Sequence, residues 1–149
     1  MFTRKSISET AAALLIFLFL YTGITKYIGH SIFFGSLKSS PILGNFAGVI
    51  SFTLPAVEII LAILLIVPKT RRKGFYASAG LLLIFTCYLI YIVTTSTKLP
   101  CSCGGVISML SWKSHIFFNL FFIIVSLIGI KYSKNPSEHS PGPQYMAMS

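Results

Sequence analysis

Apolar positions in this chain fall in long blocks, not in a short repeating pattern. Four blocks, residues 11–28, 48–67, 75–94 and 114–132, are separated by polar or turn-forming stretches. A helix of about 20 apolar residues crosses a hydrocarbon core of about 30 Å. Each block predicts such a helix. The expected architecture is all-α: an integral membrane, four-helix transmembrane bundle.

The stretches between the blocks differ in kind. Residues 29–47 contain Gly35, Ser36, Ser39, Ser40, Pro41, Gly44 and Asn45, which break any periodicity and predict a loop. The same stretch carries Phe33, Phe34, Leu37, Ile42, Leu43 and Phe46, so parts of it are expected in the membrane interface or folded back into the bundle. Residues 68–74 form a short basic turn, and residues 95–114 a polar loop. Residues 133–149 hold Asn135-Pro136 and Pro141-Gly142-Pro143 and little hydrophobic pattern. The expectation is one membrane domain, 1–132, and a disordered cytoplasmic tail, 133–149.

Composition sharpens this picture. The chain has 149 residues, 54% hydrophobic and 10% charged, where a soluble domain carries about 25% charged. Its net charge of +9 does not point to nucleic acid, because the basic residues flank the apolar blocks and form no stripe with interleaved aromatics. Arg4, Lys5, Lys69, Arg71, Arg72, Lys73, Lys131 and Lys134 fall on one side of the membrane. Lys38, Lys98 and Lys113 fall on the other, with Lys26 at the end of the first block. The positive-inside rule then predicts both termini cytoplasmic, in a bacterial inner membrane, with the 95–114 loop facing the periplasm. Arg4 and Lys5 before an apolar run also resemble a signal peptide. A retained helix is expected instead, since no small-residue cleavage site follows and the run continues through Tyr21 and Tyr27.

Candidate chemistry concentrates at Leu99-Pro100-Cys101-Ser102-Cys103-Gly104-Gly105. Pro100 and the two glycines favour a tight turn. Cys101 and Cys103 can cycle between dithiol and disulfide, and a bond across one intervening residue closes a small, strained and labile ring. A metal site with His115 would have three ligands, incomplete for structural zinc, so no metal is expected. Glu58 is the only acidic residue inside a block and must face the interior or a cavity. Pro55, one turn earlier, frees a backbone carbonyl nearby. Glu58 reads as a proton acceptor, as an anchor for a ligand headgroup, or as the partner of Lys26 in a structural ion pair. Lys26 by itself reads as a snorkelling lysine. His115 and Asn119 share one helix face close to the cysteines, and His115 is suited to take a thiol proton or to cap the helix. Trp112 reads as an interfacial belt residue. Cys87, mid-helix and without a partner cysteine, reads as a small buried hydrophobe.

Taken together these residues resemble the MauE/DoxX-like family of redox-associated bacterial membrane proteins. The resemblance runs through Gly23-Ile24-Thr25-Lys26, Ser40-Pro41, Pro55 with Glu58, Phe85-Thr86 with Tyr88, Cys101-Ser102-Cys103-Gly104-Gly105, Ser111-Trp112 and His115. It implies a four-helix transmembrane bundle with a role in forming or handling disulfides outside the cytoplasmic membrane. The family is also similar to quinone-linked thiol oxidoreductases of the vitamin K epoxide reductase type. Those carry Cys-x-x-Cys, where this chain has Cys-x-Cys and no second pair. The likeness to that type implies a quinone as the one candidate cofactor, and the missing second pair departs from its pattern.

The functional expectation is a membrane thiol–disulfide redox protein, possible as an oxidoreductase. Cys101, Cys103 and His115 would be catalytic, and Glu58 and Lys26 would line a polar intramembrane pocket. Its partner would be a periplasmic thioredoxin-like protein or a disulfide-containing substrate. The rival expectation is a non-enzymatic accessory subunit of a larger membrane complex, with the cysteines as a structural clasp.

Overall fold

The structure is a computed structural model, and it describes residues 3–95 and 112–133. Thr3 caps the first helix, its hydroxyl accepting from the Ser6 amide at 3.3 Å. That helix, α1, spans Arg4–Ile28. A short helix, α2, follows at His30–Lys38, then a single 3-10 turn at Gly44–Phe46. The remaining helices are α3 (Ala47–Ile66), α4 (Arg71–Thr95) and α5 (Trp112–Tyr132). Among the described residues, four helices are long and apolar enough to cross a membrane.

The four long helices form an antiparallel bundle. Helix α1 packs on α3 and α5, and α4 packs on both of these from the far side. The main core lies toward the 67–70 turn, where Leu15, Ala62, Leu65 and Phe75 are fully buried. Gly129 of α5 makes room for the Phe75 ring: a Cβ there would overlap it. Ser78 and Ser126 are also fully buried, and their hydroxyls donate to the carbonyls of Gly74 and Phe122, one turn back. Such small, self-satisfied residues let helices approach closely where burial alone supplies little drive. At the 67–70 turn, Thr70 Oγ1 and Arg71 Nε donate to the carbonyls of Leu64 and Leu65 at 2.9 and 3.0 Å. These cover two of the carbonyls left open at the end of α3.

The outward surface is strongly apolar. Phe17, Val49, Ile84 and Phe117 are each at least two-thirds exposed. A soluble monomer rarely shows so continuous an apolar face, whereas a bilayer requires one.

Two expectations are corrected here. Residues 29–47 are not a plain loop, since nine of them form α2. Phe33 and Leu37 lie one turn apart and are both buried against Ala47, forming a second small core with Phe34, Leu43, Ile50 and Leu54. Burial of that pair outweighs the cost of Gly35 in mid-helix. Cys87 is exposed on the outer face of α4, not buried. Its neighbour Thr86 takes the inward position.

Candidate functional site

The site lies between the two cores, where α2 covers the end of the bundle. On α1, Thr22, Thr25 and Lys26 share a face. Gly23, on the adjacent face, brings α1 close to α3: a Cβ there would lie 3.4 Å from the Pro55 carbonyl oxygen and 3.5 Å from the Glu58 Cβ. Glu58 is therefore held against α1, one turn after Pro55. Its side chain is 3% exposed, and that of Lys26 is 13% exposed. Lys26 Nζ donates to Glu58 Oε1 at 2.5 Å. Two expectations for these residues thus meet in one ion pair.

The rest of the ammonium's surroundings are aromatic. Its Nζ lies 5.7 Å from the centre of the Phe33 ring on α2 and 5.5 Å from that of Phe85 on α4. Both are within cation–π range. The second carboxylate oxygen, Glu58 Oε2, is fully buried and has no hydrogen-bond partner among the described residues. The nearby threonines also bond within their own helix, and Thr22 lies within hydrogen-bonding reach of the Glu58 carboxylate. Thr22 Oγ1 donates to the Leu18 carbonyl at 2.9 Å, and Thr25 Oγ1 to the Tyr21 carbonyl at 2.8 Å.

A cavity of about 120 Å³ opens beside the pair, lined from all five helices. His115, Phe118 and Asn119 reach it from α5. Asn119 is buried and His115 half-buried. Side-chain bonds tie α2 to the helices beside the cavity. Ser40 Oγ and Tyr88 Oη are 2.6 Å apart, tying the end of α2 to α4. His30 Nε2 lies 3.2 Å from Ser51 Oγ, tying the start of α2 to α3, and its ring lies 4.4 Å from that of Phe52.

The structure thus brings Lys26, Glu58 and His115 to one cavity. Cys101 and Cys103, the expected disordered tail beyond residue 133 and the side chain of Trp112 lie outside the described residues. Sequence reasoning missed His30 and Thr22. Their only signals were a histidine opening an aromatic-rich segment and a threonine one turn before Lys26.

A family model described as methylamine utilisation protein MauE matches residues 4–132. The chain belongs to the MauE family. The match spans all five helices and ends with α5, so the Lys26–Glu58 cavity lies inside the MauE region. No curated protein and no solved structure matches the chain.

Proposed function

We propose that this MauE-family membrane protein carries out thiol–disulfide exchange on periplasmic partners through Cys101 and Cys103. One observation carries the reading. The chain leaves α4 after Thr95 and enters α5 at Trp112, at the end of the bundle where the Lys26–Glu58–His115 cavity lies. Leu89 and His115, both in the cavity wall, are within about 10 Å of helix rise from the two ends of that segment. The helix ends that flank the cysteine segment thus lie close to a polar cluster that is costly to maintain in a membrane.

In this mechanism a thiolate of the pair attacks the disulfide of a thioredoxin-like partner or a folding substrate. A mixed disulfide forms and one partner thiolate leaves. The second cysteine of this chain then attacks the mixed bond. Its own disulfide closes and the partner leaves as a dithiol, two electrons richer. The reverse sequence oxidises the partner. His115 takes the thiol proton in the first step. The excess of basic residues at the 67–70 turn and beside both termini supports an inner-membrane orientation with the cysteines outside.

The test is a trapping experiment on the full chain. Replacing one cysteine with serine strands the mixed disulfide. Either Cys101→Ser or Cys103→Ser is expected to accumulate a partner adduct that disappears on reduction, while the double variant gives none. If both single variants give no adduct and leave the cell's disulfide formation unchanged, the protein is an accessory subunit and the cysteines are not its chemistry.

A further inference from the structure

The end of the bundle opposite the Lys26–Glu58 cavity is strongly basic, and the thiol chemistry makes no use of it. Lys69, Arg71, Arg72 and Lys73 fall together at the turn from α3 to α4. The whole chain has only three acidic residues to set against them. Glu58 is at the far end, paired with Lys26, and Glu9 lies 3.9 Å from Lys5 on α1. Glu138 lies outside the described residues. Among the described residues, none of the four cations at the turn has an acidic partner.

Charges that only set topology need no fixed shape, and this turn has one. Thr70 Oγ1 donates to the carbonyls of Leu64 and Val67 at 2.9 and 3.3 Å. The start of α4 is pressed onto the end of α3: a Cβ on Gly74 would lie 3.1 Å from the Leu65 side chain. Arg71 is half-buried and held by the bond from its Nε to the Leu65 carbonyl, at 3.0 Å. Its two Nη groups, the outer edge of the fork, have no protein partner among the described residues. Arg72 is also half-buried, and its guanidinium lies 6.0 Å from the centre of the Tyr76 ring, one turn on. Both arginines stand one turn before Phe75, which meets α5 at Gly129. One turn beyond Gly129, α5 brings Lys131 and Tyr132 to the same level.

Two planar guanidinium groups side by side suit a phosphate, which each can grip with paired N–H donors. The surplus of cations favours a group with net negative charge over a zwitterion. The surroundings decide what carries the phosphate. Ile66, Val67 and Tyr76 are exposed beside the cluster. A soluble phosphate or an acidic protein has no use for that apolar border, whereas acyl chains lie along it.

We propose that the turn from α3 to α4 binds the phosphodiester of an anionic phospholipid between Arg71 and Arg72, with Lys69, Lys73 and Lys131 supplying the charge that selects a net-negative lipid. The site goes beyond the thiol-exchange reading and does not rest on it.

The test is native mass spectrometry of the full chain in detergent, offered equal amounts of phosphatidylglycerol and phosphatidylcholine with the same acyl chains. A basic residue at a membrane surface is worth about fivefold in affinity for an anionic lipid. The expected preference for phosphatidylglycerol is therefore about 25-fold, from two arginines. Arg71→Gln and Arg72→Gln should each cut it about fivefold. Arg71→Lys with Arg72→Lys keeps the charge and should still lose about fivefold, because lysine is a point charge without the planar fork. Arg4→Gln with Lys5→Gln removes as much charge from the same end and should leave the preference within about twofold. The comparison of the two lipids stands on the unaltered chain if a variant fails to fold. Equal retention of both lipids overturns the proposal. So does an equal loss in the Arg4/Lys5 variant, which would show diffuse charge in place of a built site. Glycerol 3-phosphate retained as well as the lipid would assign a soluble anion, and polyglutamate retained in its place an acidic protein. Either result overturns the lipid assignment.

Discussion

Lys26 and Glu58 pair with each other inside an apolar bundle, and each is burdened by the loss of the other. Removing one partner of a buried pair leaves an uncompensated polar group and costs about 3–5 kcal/mol. Lys26→Met and Glu58→Leu should each lower the unfolding free energy in detergent by that order. The double variant should recover most of the loss, because two apolar side chains refill the space. Additive losses in the double-variant cycle would mean that the pair does not act as a unit. These two residues were legible in the sequence because a lone acid in an apolar block has to find a partner. The surroundings of Oε2 were not legible, since they depend on where the Thr22 and Thr25 hydroxyls turn, which only coordinates reveal.

Helices were read from the sequence unevenly, and the reason is visible in α2. The long helices announce themselves by length, because nothing else keeps about 20 apolar residues together in a bilayer. Helix α2 has nine residues with Gly35 and Ser36 inside, and its local propensity is poor. It forms because Phe33 and Leu37 find Ala47, a tertiary reason that no local pattern carries. Its anchoring is also tertiary, through Ser40 and Tyr88. Tyr88→Phe removes one hydroxyl of that link and should cost about 1 kcal/mol locally. Amide exchange in residues 30–38 is expected to speed up about fivefold, with exchange in α5 unchanged. Unchanged exchange in α2 would show that the link does not hold it. The contact between α4 and α5 has a different weak point. Any side chain at Gly129 meets the buried Phe75 ring, so Gly129→Ala should destabilise the bundle by about 1–3 kcal/mol. Adding Phe75→Leu should restore part of that, measured by thermal unfolding.

For the molecule as a whole, a membrane bundle is combined with a thiol pair in the segment that links α4 to α5. The bundle was legible from block lengths, and the family from scattered motif residues, of which Thr25, Lys26, Glu58, Phe85, Tyr88 and His115 line one cavity. Lys26, Glu58 and His115 are far apart in the chain, and only the antiparallel order of α1, α3 and α5 brings them together. Orientation is open to a direct test. With the native cysteines replaced, Lys38→Cys should react with an impermeant maleimide in intact cells, and Lys69→Cys only after lysis. The reverse pattern would put the cysteine segment in the cytoplasm, where disulfides are rare. The central claim is that Cys101 and Cys103 exchange disulfides outside the membrane. Its most direct measurement is their redox state in living cells, by acid trapping and mass counting of alkylated thiols with an impermeant blocker. The account predicts a partly oxidised pair that the blocker reaches from outside only after reduction. A pair that stays fully reduced under every growth condition, or that the blocker never reaches, would contradict it.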